Sequence, residues 1–379
     1  MAVVTCIEDL RELARRRVAK AIFDYVDRGA YSEATMRANR ADLEALTLRQ
    51  RVAVDVDRRS TRTTLIGQDV SMPVALAPTG LTGLNWADGE MLAARAAERF
   101  GVPFTLSTMS ICSIEDVKSV LTKPFWFQLY VMRDRGFAAS LIERAEAAGC
   151  SALVLTLDLQ VQGQRHQDIK NGLSIPPRLT VGNFLDALMK PSWVFNVLLS
   201  KRKTFGNLEG RIPNADNVAS LAQWVGGQFD PTLSWKDVEW VRSLWKGRII
   251  LKGILDAEDA RIAAATGADA IVVSNHGGRQ LDGAASSIRA LPEVVDAVAG
   301  KCEVWMDGGI RSGQDVLKAL ALGARGTMIG RAFLYGLGAL GEKGVTRALE
   351  VIRSELDISM ALCGVRDVRE VTSAILRAG

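Results

Sequence analysis

The 379-residue chain has few of the residues that build metal sites and disulfide scaffolds. It holds two histidines, His166 and His276, in no spacing typical of a metal site, so bound metal is not expected. Its five cysteines (Cys6, Cys112, Cys150, Cys302 and Cys363) lie far apart and form no CxxC pair. That excludes a disulfide framework and a structural zinc site, and it suits a reducing compartment. Excess charge is small, with 47 basic against 43 acidic side chains and a net charge of +4, so nucleic-acid binding is not expected. No uninterrupted apolar run reaches the roughly 18 residues of a membrane span. The N-terminus, MAVVTCIEDLRELARRRV, carries acids at Glu8 and Asp9 and no apolar core, so a signal peptide is not expected. Hydrophobic residues at 48% and charged residues at 24% exclude disorder, collagen and coiled coil as the main architecture. The length fits two or three domains, or one large α/β barrel with extensions.

Short apolar, β-branched runs ending in polar or glycine residues give eight strands: PVALAP (73–78), PFTLST (103–108), FWFQLY (125–130), ALVLTLD (152–158), IILK (249–252), AIVVSN (270–275), EVWMD (303–307) and GTMIG (326–330). Most are apolar throughout, as strands buried on both faces are, which favours a parallel sheet. Helical patterns closed by glycine fill the gaps, among them GEMLAARAAERFG (89–101), AASLIERAEAAG (138–149), DAEDARIAAATG (256–267) and SGQDVLKALALG (312–323). Strand starts are 30, 22, 27, 97, 21, 33 and 23 residues apart, and all but the longest interval suit one βα unit. The spacing predicts an α/β chain folded as a (β/α)8 TIM barrel over residues 73–364, with 342–362 as the eighth helix. An open doubly wound sheet is the runner-up and does not need eight strands. Residues 1–72 read as a helical N-terminal extension, with helices around 7–29 and 32–45. Residues 165–235 read as a long insertion after strand 4, with Pro176, Pro177, Pro191, Pro213 and Pro231 and several tryptophans. The whole chain, 1–379, is expected to be one domain.

In such barrels the chemistry sits at the C-terminal strand ends. Those ends carry Pro78-Thr79-Gly80, Ser107, Gln128 with Tyr130, Thr156 with Asp158, Lys252, Ser274 with His276, Asp307-Gly308-Gly309 and Gly330-Arg331. One such residue would read as a turn cap; eight occupied ends read as a ligand ring. The loops after strands 7 and 8 offer glycine backbone, a helix start near Ser312, Arg311 and Arg331, which together suit a phosphate-bearing cofactor. Thr79, Ser107, Gln128, Thr156 and Ser274 are neutral hydrogen-bonders suited to a polar heterocycle with a polyol tail. His276, in SNHGGRQLDG, pairs in prospect with Asp158 as a general base. Arg165 and Arg279 suit a substrate carboxylate, and Lys252 places a cation against a cofactor that becomes negative on reduction. Gly336-Leu337-Gly338-Ala339-Leu340-Gly341 matches GxGxxG, but no strand follows it, so small residues before a packed helix explain it.

At these residues the sequence resembles the FMN-dependent L-2-hydroxy-acid oxidase and dehydrogenase family, from Tyr25 to the C-terminal helix. SNHGGRQLDG (274–283) resembles the family's active-site signature. PTGLTG (78–83), PFTLST (103–108), SWKDVEWVRSLW (234–245), LKGILDAEDAR (251–261) and GRAFLYGLG (330–338) resemble its membrane-associated bacterial L-lactate dehydrogenase branch. The resemblance implies FMN as cofactor and oxidation of a hydroxy acid, L-lactate first, to a 2-oxo acid. It implies His276 as base, stabilised by Asp158 once protonated, with Arg279, Arg165 and Tyr25 on the substrate carboxylate and Tyr130 on the hydroxyl side. It places Lys252 at the flavin edge, Pro78, Thr79, Gly80, Ser107, Gln128, Thr156 and Ser274 around the ring, and Asp307, Gly308, Gly309, Arg311, Gly330 and Arg331 along the ribityl phosphate. A membrane quinone as acceptor, a homotetramer and a cytoplasmic, peripheral location follow by the same likeness. An oxidase using O2, and a non-redox barrel binding a phosphorylated metabolite, are the competing readings. Gln160 and Gln162 stand in TLDLQVQGQR, where many members have a proline two residues after the Asp, and Met109 replaces a bulky aromatic of the glycolate-specific members. No haem domain precedes the barrel, so a fused cytochrome acceptor is not expected.

The stretch 178–211 holds Arg178, Lys190, Lys201, Arg202, Lys203 and Arg211 against Asp186 and Glu209, beside the apolar run Trp193–Leu199. Apolar and aromatic residues next to a basic cluster predict docking on an anionic membrane surface. The competing reading is an insertion packed over the active site or into a subunit contact.

Overall fold

The computed structural model describes residues 3–173, 180–210 and 224–377. The eight predicted strands form one parallel sheet: β1 (Val74–Leu76), β2 (Thr105–Ser107), β3 (Trp126–Leu129), β4 (Ala152–Thr156), β5 (Arg248–Ile254), β6 (Ala270–Val273), β7 (Glu303–Met306) and β8 (Gly326–Ile329). Hydrogen bonds run in the order β1-β8-β7-β6-β5-β4-β3-β2. A parallel bridge between Leu76 and Phe104 brings β1 back to β2 and closes the barrel. The fold is therefore the predicted (β/α)8 barrel, and the final helix covers Glu342–Leu362.

Alternate residues of each strand point inward and fill the barrel. Ala75, Ala152 and Ala270 leave room for Trp126 and Trp305, which stack with centroids 5.3 Å apart. An antiparallel hairpin, Thr63–Leu65 with Gln68–Val70, plugs the N-terminal mouth, and Leu65, Ile66 and Val70 join the interior cluster. The sequence reading missed this hairpin because each strand is three residues long. The signal was its two-residue turn, Ile66-Gly67, in which both residues have positive φ.

The predicted helix at 7–29 is two helices, α1 (Ile7–Arg17) and α2 (Lys20–Asp27). Val18 is extended and fully buried between them, against Gly338. That break turns α2 so that Tyr25 reaches the C-terminal face of the barrel. The third helix, α3 (Ala34–Ala45), ends at the predicted position. Gly336 and Gly338 lie inside the helix Arg331–Leu340, where an added Cβ would sit 2.3 Å from Gly344 O and 2.9 Å from Val18. The GxGxxG match is thus a packing feature, as expected.

Of the predicted docking stretch, Arg178 and Arg211 lie outside the described residues, as do Pro176, Pro177 and Pro213. Part of the expected basic cluster turns inward. Arg202 pairs with Asp88 and Asp116 at 2.8 and 2.7 Å, and Lys190 donates to the Arg15 and Arg16 carbonyls. Trp193 is buried and its indole N–H donates to Leu84 O at 2.8 Å. Lys201 and Lys203 remain exposed. The helix Val181–Leu188 has no buried residue, and Val181, Phe184, Leu185 and Leu188 face outward at helical spacing. Its acid, Asp186, faces the protein and accepts from Lys20 N–H at 2.6 Å.

Candidate active site

One cavity of about 290 Å³ opens at the C-terminal end of the barrel. All but four of the predicted site residues line it; Gln128, Thr156, Asp158 and Ser274 stand just behind its wall. Each strand brings its residue there because the polar group follows directly on the buried apolar run.

The reactive centre comes from β4, β5 and β6. The Nδ1 of His276 lies 2.9 Å from Asp158 Oδ1. Burial pulls His276 below its ordinary value; Asp158 works against this and Lys252 adds to it. The imidazole is therefore neutral at pH 7 and free to accept a proton. Burial pushes Asp158 up, but His276 and Lys252 outweigh it and hold the carboxyl below the usual range. Lys252 is almost fully buried, donates to Ser274 Oγ at 2.8 Å and pairs with Asp307 at 3.1 Å. Burial alone would lower it; the charges of Asp307 and Asp158 raise it overall, so it stays a cation.

Two local backbone features make this possible. Gly253 (φ +105°) forms a bulge in β5, and a Cβ there would stand 2.7 Å from both Cβ and Cγ of Asp158. Only glycine lets the strand pass so close to the carboxylate. The sequence reading passed over Gly253, although a glycine inside a strand signals a bulge or a close approach. His276 has φ +57°, a conformation that costs a non-glycine residue about 1–3 kcal/mol and clusters at functional sites.

Arg279 lies over the Tyr25 ring at 4.7 Å and donates to the Tyr25 and Arg28 carbonyls at 2.5 and 2.9 Å. Burial, with Arg165 beside it, pushes Arg279 down to about 10, still a cation at neutral pH. Arg165 is buried and donates to Arg279 O at 3.4 Å. Burial, then the charge of Asp158, pushes the Tyr130 phenol up, so it remains a proton donor. Asp168 was missed by the sequence reading. It is buried at the cavity wall, one carboxylate oxygen has no hydrogen-bond partner, and burial pushes it up. Gln160 turns away to Leu233 O at 2.7 Å, whereas Gln162 and Met109 line the cavity.

The opposite wall fits a flavin. Gln128 accepts from Ser107 Oγ at 3.0 Å while its Nε2 has no partner. Thr156 Oγ1 and Asp307 Oδ1 are likewise buried and unpartnered. Such groups cost roughly 1–3 kcal/mol each unless a ligand completes them. Gly308 and Gly309 have φ near +90° and press against Asn39 of α3. Arg311 lines the cavity over Tyr335. Arg331 lines it too, with its guanidinium on the carbonyls of Val26, Gly277 and Arg28, at 2.7–2.9 Å. It holds α2 and the His276 loop.

The insertion supplies a roof: Phe205, Val225 and Phe229 line the cavity. Asn207, fully buried, fixes this roof to β2. It donates to Ser107 O and Thr108 O at 3.3 Å and to Ser110 Oγ at 3.0 Å, and accepts from Ile114 N–H at 2.9 Å. Among the described residues no group of three His, Cys, Asp or Glu side chains could hold a metal.

The sequence model of FMN-dependent dehydrogenases matches residues 14–378. This chain belongs to that family. It is an FMN-dependent enzyme, and the unpartnered amide and hydroxyl at the barrel wall fit the ring such a cofactor brings. The chain is 48% identical over 375 residues to an L-lactate dehydrogenase of Caulobacter vibrioides (strain NA1000 / CB15N), covering 99% of this chain and 98% of that one. It is 46% identical to an L-lactate dehydrogenase of Acinetobacter baylyi, covering 99% and 97%. Among solved structures it is similar to a monotopic membrane protein, (S)-mandelate dehydrogenase, at 36% identity and TM-score 0.95, with both chains fully covered. A soluble mutant of the membrane-associated (S)-mandelate dehydrogenase from Pseudomonas putida gives 36% and 0.85, also with full coverage.

Proposed function

We propose that the enzyme oxidises a small L-2-hydroxy acid, L-lactate foremost, to the 2-oxo acid and hands the electrons to a membrane quinone or another respiratory acceptor. The observation that carries this reading is His276, paired with Asp158 at 2.9 Å, in one cavity with Arg165 and Arg279. FMN, when bound, would accept the two electrons and one of the two hydrogens lost from the substrate's CH–OH group. His276 takes the other as a proton, and Asp158 stabilises the cation that results. Arg279, Arg165 and Tyr25 hold the substrate carboxylate, and Tyr130 donates to the hydroxyl side. Lys252 faces the part of the cofactor that gains negative charge. Pro78, Thr79, Gly80, Ser107, Gln128, Thr156 and Ser274 border the ring, and the 307–311 loop with Gly330 and Arg331 holds the ribityl phosphate.

The names of the relatives support lactate. A second reading, a bulkier hydroxy acid such as mandelate, has the aromatic roof Phe205 and Phe229 and the solved neighbours in its favour. Anaerobic titration of the purified flavoprotein with a panel of L-2-hydroxy acids separates them by the rate of flavin bleaching. Lactate should bleach fastest; faster bleaching by mandelate or a long-chain acid replaces it. Oxygen-dependent peroxide formation at the rate of turnover would make the enzyme an oxidase.

We infer a peripheral location on the cytoplasmic face of the membrane, and a homotetramer. The outward apolar face of Val181, Phe184, Leu185 and Leu188, joined by Met189, Phe195 and Leu199, supports docking on an anionic bilayer, with Lys201 and Lys203 beside it. So does the likeness to a monotopic membrane protein. No helix among the described residues is long and apolar enough to cross a membrane. Co-sedimentation with anionic liposomes tests docking. The intact enzyme should bind, while a variant whose residues 190–203 are replaced by a polar linker, and Phe184→Glu, should lose binding yet still reduce a soluble dye. Equal binding by all three ends the proposal.

A further inference from the structure

The residue before the histidine carries a buried amide with a reciprocal partner in the N-terminal extension. Asn39, on α3, donates from Nδ2 to Asn275 Oδ1 at 2.9 Å, and Asn275 Nδ2 donates back to Asn39 Oδ1 at 2.8 Å. The outer positions are also used. Asn275 Nδ2 donates to Ala285 O at 3.1 Å, Asn275 Oδ1 accepts from Gly278 N–H at 3.1 Å, and Asn39 Oδ1 accepts from Ser287 N–H at 3.1 Å. Both side chains are buried. The partners are 236 residues apart in the chain.

We propose that the Asn39–Asn275 pair is a positioning device that holds the His276 ring against Asp158. The inference rests on the reading of His276 as the base. The turn it would hold has one backbone hydrogen bond of its own, from Gly278 N–H to Asn275 O at 3.0 Å, and the Asn275 side chain shares that same N–H. His276, Gly277 and Gly278 follow one another with φ of 57°, 64° and 74°. A run of left-handed residues is sterically costly wherever a side chain is present, as it is at His276. Asn275 bridges this turn from inside, fixing the Gly278 N–H, while Ser274 Oγ takes the His276 N–H at 3.1 Å. Asn39 then locks the Asn275 side chain to α3. The same Asn39 also supports the phosphate loop: a Cβ on Gly309 would stand 2.4 Å from Asn39 O, and one on Gly308 would stand 3.3 Å from Asn39 Nδ2. Base and cofactor loop thus share one fixed point on the extension. Arg279, four residues after Asn275, is held separately by the Tyr25 and Arg28 carbonyls, so substrate binding does not depend on the pair.

Anaerobic stopped-flow reduction of the FMN holoenzyme by L-lactate tests this. Asn39→Ala should slow flavin reduction about 10²-fold, the effect of misplacing a reacting group by about 1 Å, with substrate Kd and FMN content near wild type. In a His276→Gln background the same substitution should change the residual rate less than about twofold, because its effect runs through His276. A wild-type rate in Asn39→Ala overturns the proposal. So does an equal further loss in the His276→Gln background, or a parallel loss of rate, substrate affinity and FMN, which would mark a plain staple between extension and barrel. Asn39→Asp keeps the acceptor for Asn275 and Ser287 and removes the donor, so the same cycle runs on it if Asn39→Ala does not fold. Wild-type reduction by His276→Gln alone would remove the base reading and the proposal with it. Loss in His276→Gln without loss in Asn39→Ala removes the proposal only.

Discussion

Replacing Gly253 by alanine is the sharpest probe of the catalytic pair, because it leaves both titrating residues in place. The new Cβ would stand 2.7 Å from Asp158 Cβ and Cγ, where ordinary contact begins at 3.4 Å. The carboxylate must therefore retreat by about 0.7 Å or more, or the strand must shift by the same amount. The His276–Asp158 bond at 2.9 Å then stretches past the range of a hydrogen bond. Displacement on this scale costs about 10²-fold in rate. The backbone adds its own term. Alanine at φ +105° costs about 1–3 kcal/mol, and overpacking a filled site costs a similar amount, so stability should fall by about 2–6 kcal/mol. The assay is anaerobic flavin reduction by L-lactate, read beside the urea midpoint of the holoenzyme. The expected pattern is slow reduction, unchanged substrate affinity and a lower midpoint. Reduction within threefold of wild type would show that the close approach has no part in holding Asp158, and would refute the reasoning.

Three further outcomes follow from the same geometry. His276→Gln should keep FMN, seen as an unchanged flavin spectrum, and lose reduction by at least 10²–10⁴-fold. Because burial lowers His276 from its ordinary 6.5 and the neutral ring is the active form, the rate of reduction should rise with pH and level off, with its limb below 6.5; removing the raising influence of Asp158 in Asp158→Asn should move that limb further to acid, and a limb at pH 7 or above contradicts the burial argument. Arg279→Lys should weaken substrate binding in the same titration about 10²-fold with a smaller effect on saturated reduction, since an ammonium cannot reproduce the bidentate fork.

The barrel was legible because parallel strands buried on both faces need apolar runs, and each run stops where the cavity begins. His276, Asp158 and the glycine loop were legible for the same reason, as polar groups one to three residues past a strand, and Lys252 as the charged residue that ends the apolar run within β5. What was not legible depends on through-space approach. Nothing local marks Asn39 as the partner of a residue beyond position 270, or Gly253 as the gap Asp158 needs. The direction in which an apolar stripe faces is hidden as well. VGNFLDAL has one period whether its stripe packs inward or outward, and only Asp186 reaching back to Lys20 N–H shows which way it turned. The basic cluster misled for a related reason. A lysine or arginine count does not say whether the head group meets water or, as with Arg202, two acids of its own protein.

The described parts of the insertion face two ways. Its inner residues, Phe205 and Asn207, close the cavity and fasten to β2, where Ser107 stands at the cofactor wall. Its outer residues, Phe184, Leu188, Phe195 and Leu199, are exposed. A contiguous exposed apolar patch of this kind marks a surface that meets another surface. With the membrane we propose on that side, the bilayer lies on the outer face of the element that roofs the flavin cavity. That element is tied to the barrel on its inner side by Asn207, which bonds Ser107 O and the Ile114 N–H and accepts from Arg144 at 3.0 Å through its carbonyl, and by the Arg202–Asp116 pair at 2.7 Å, so its inner face is fixed while its outer apolar face is left for another surface.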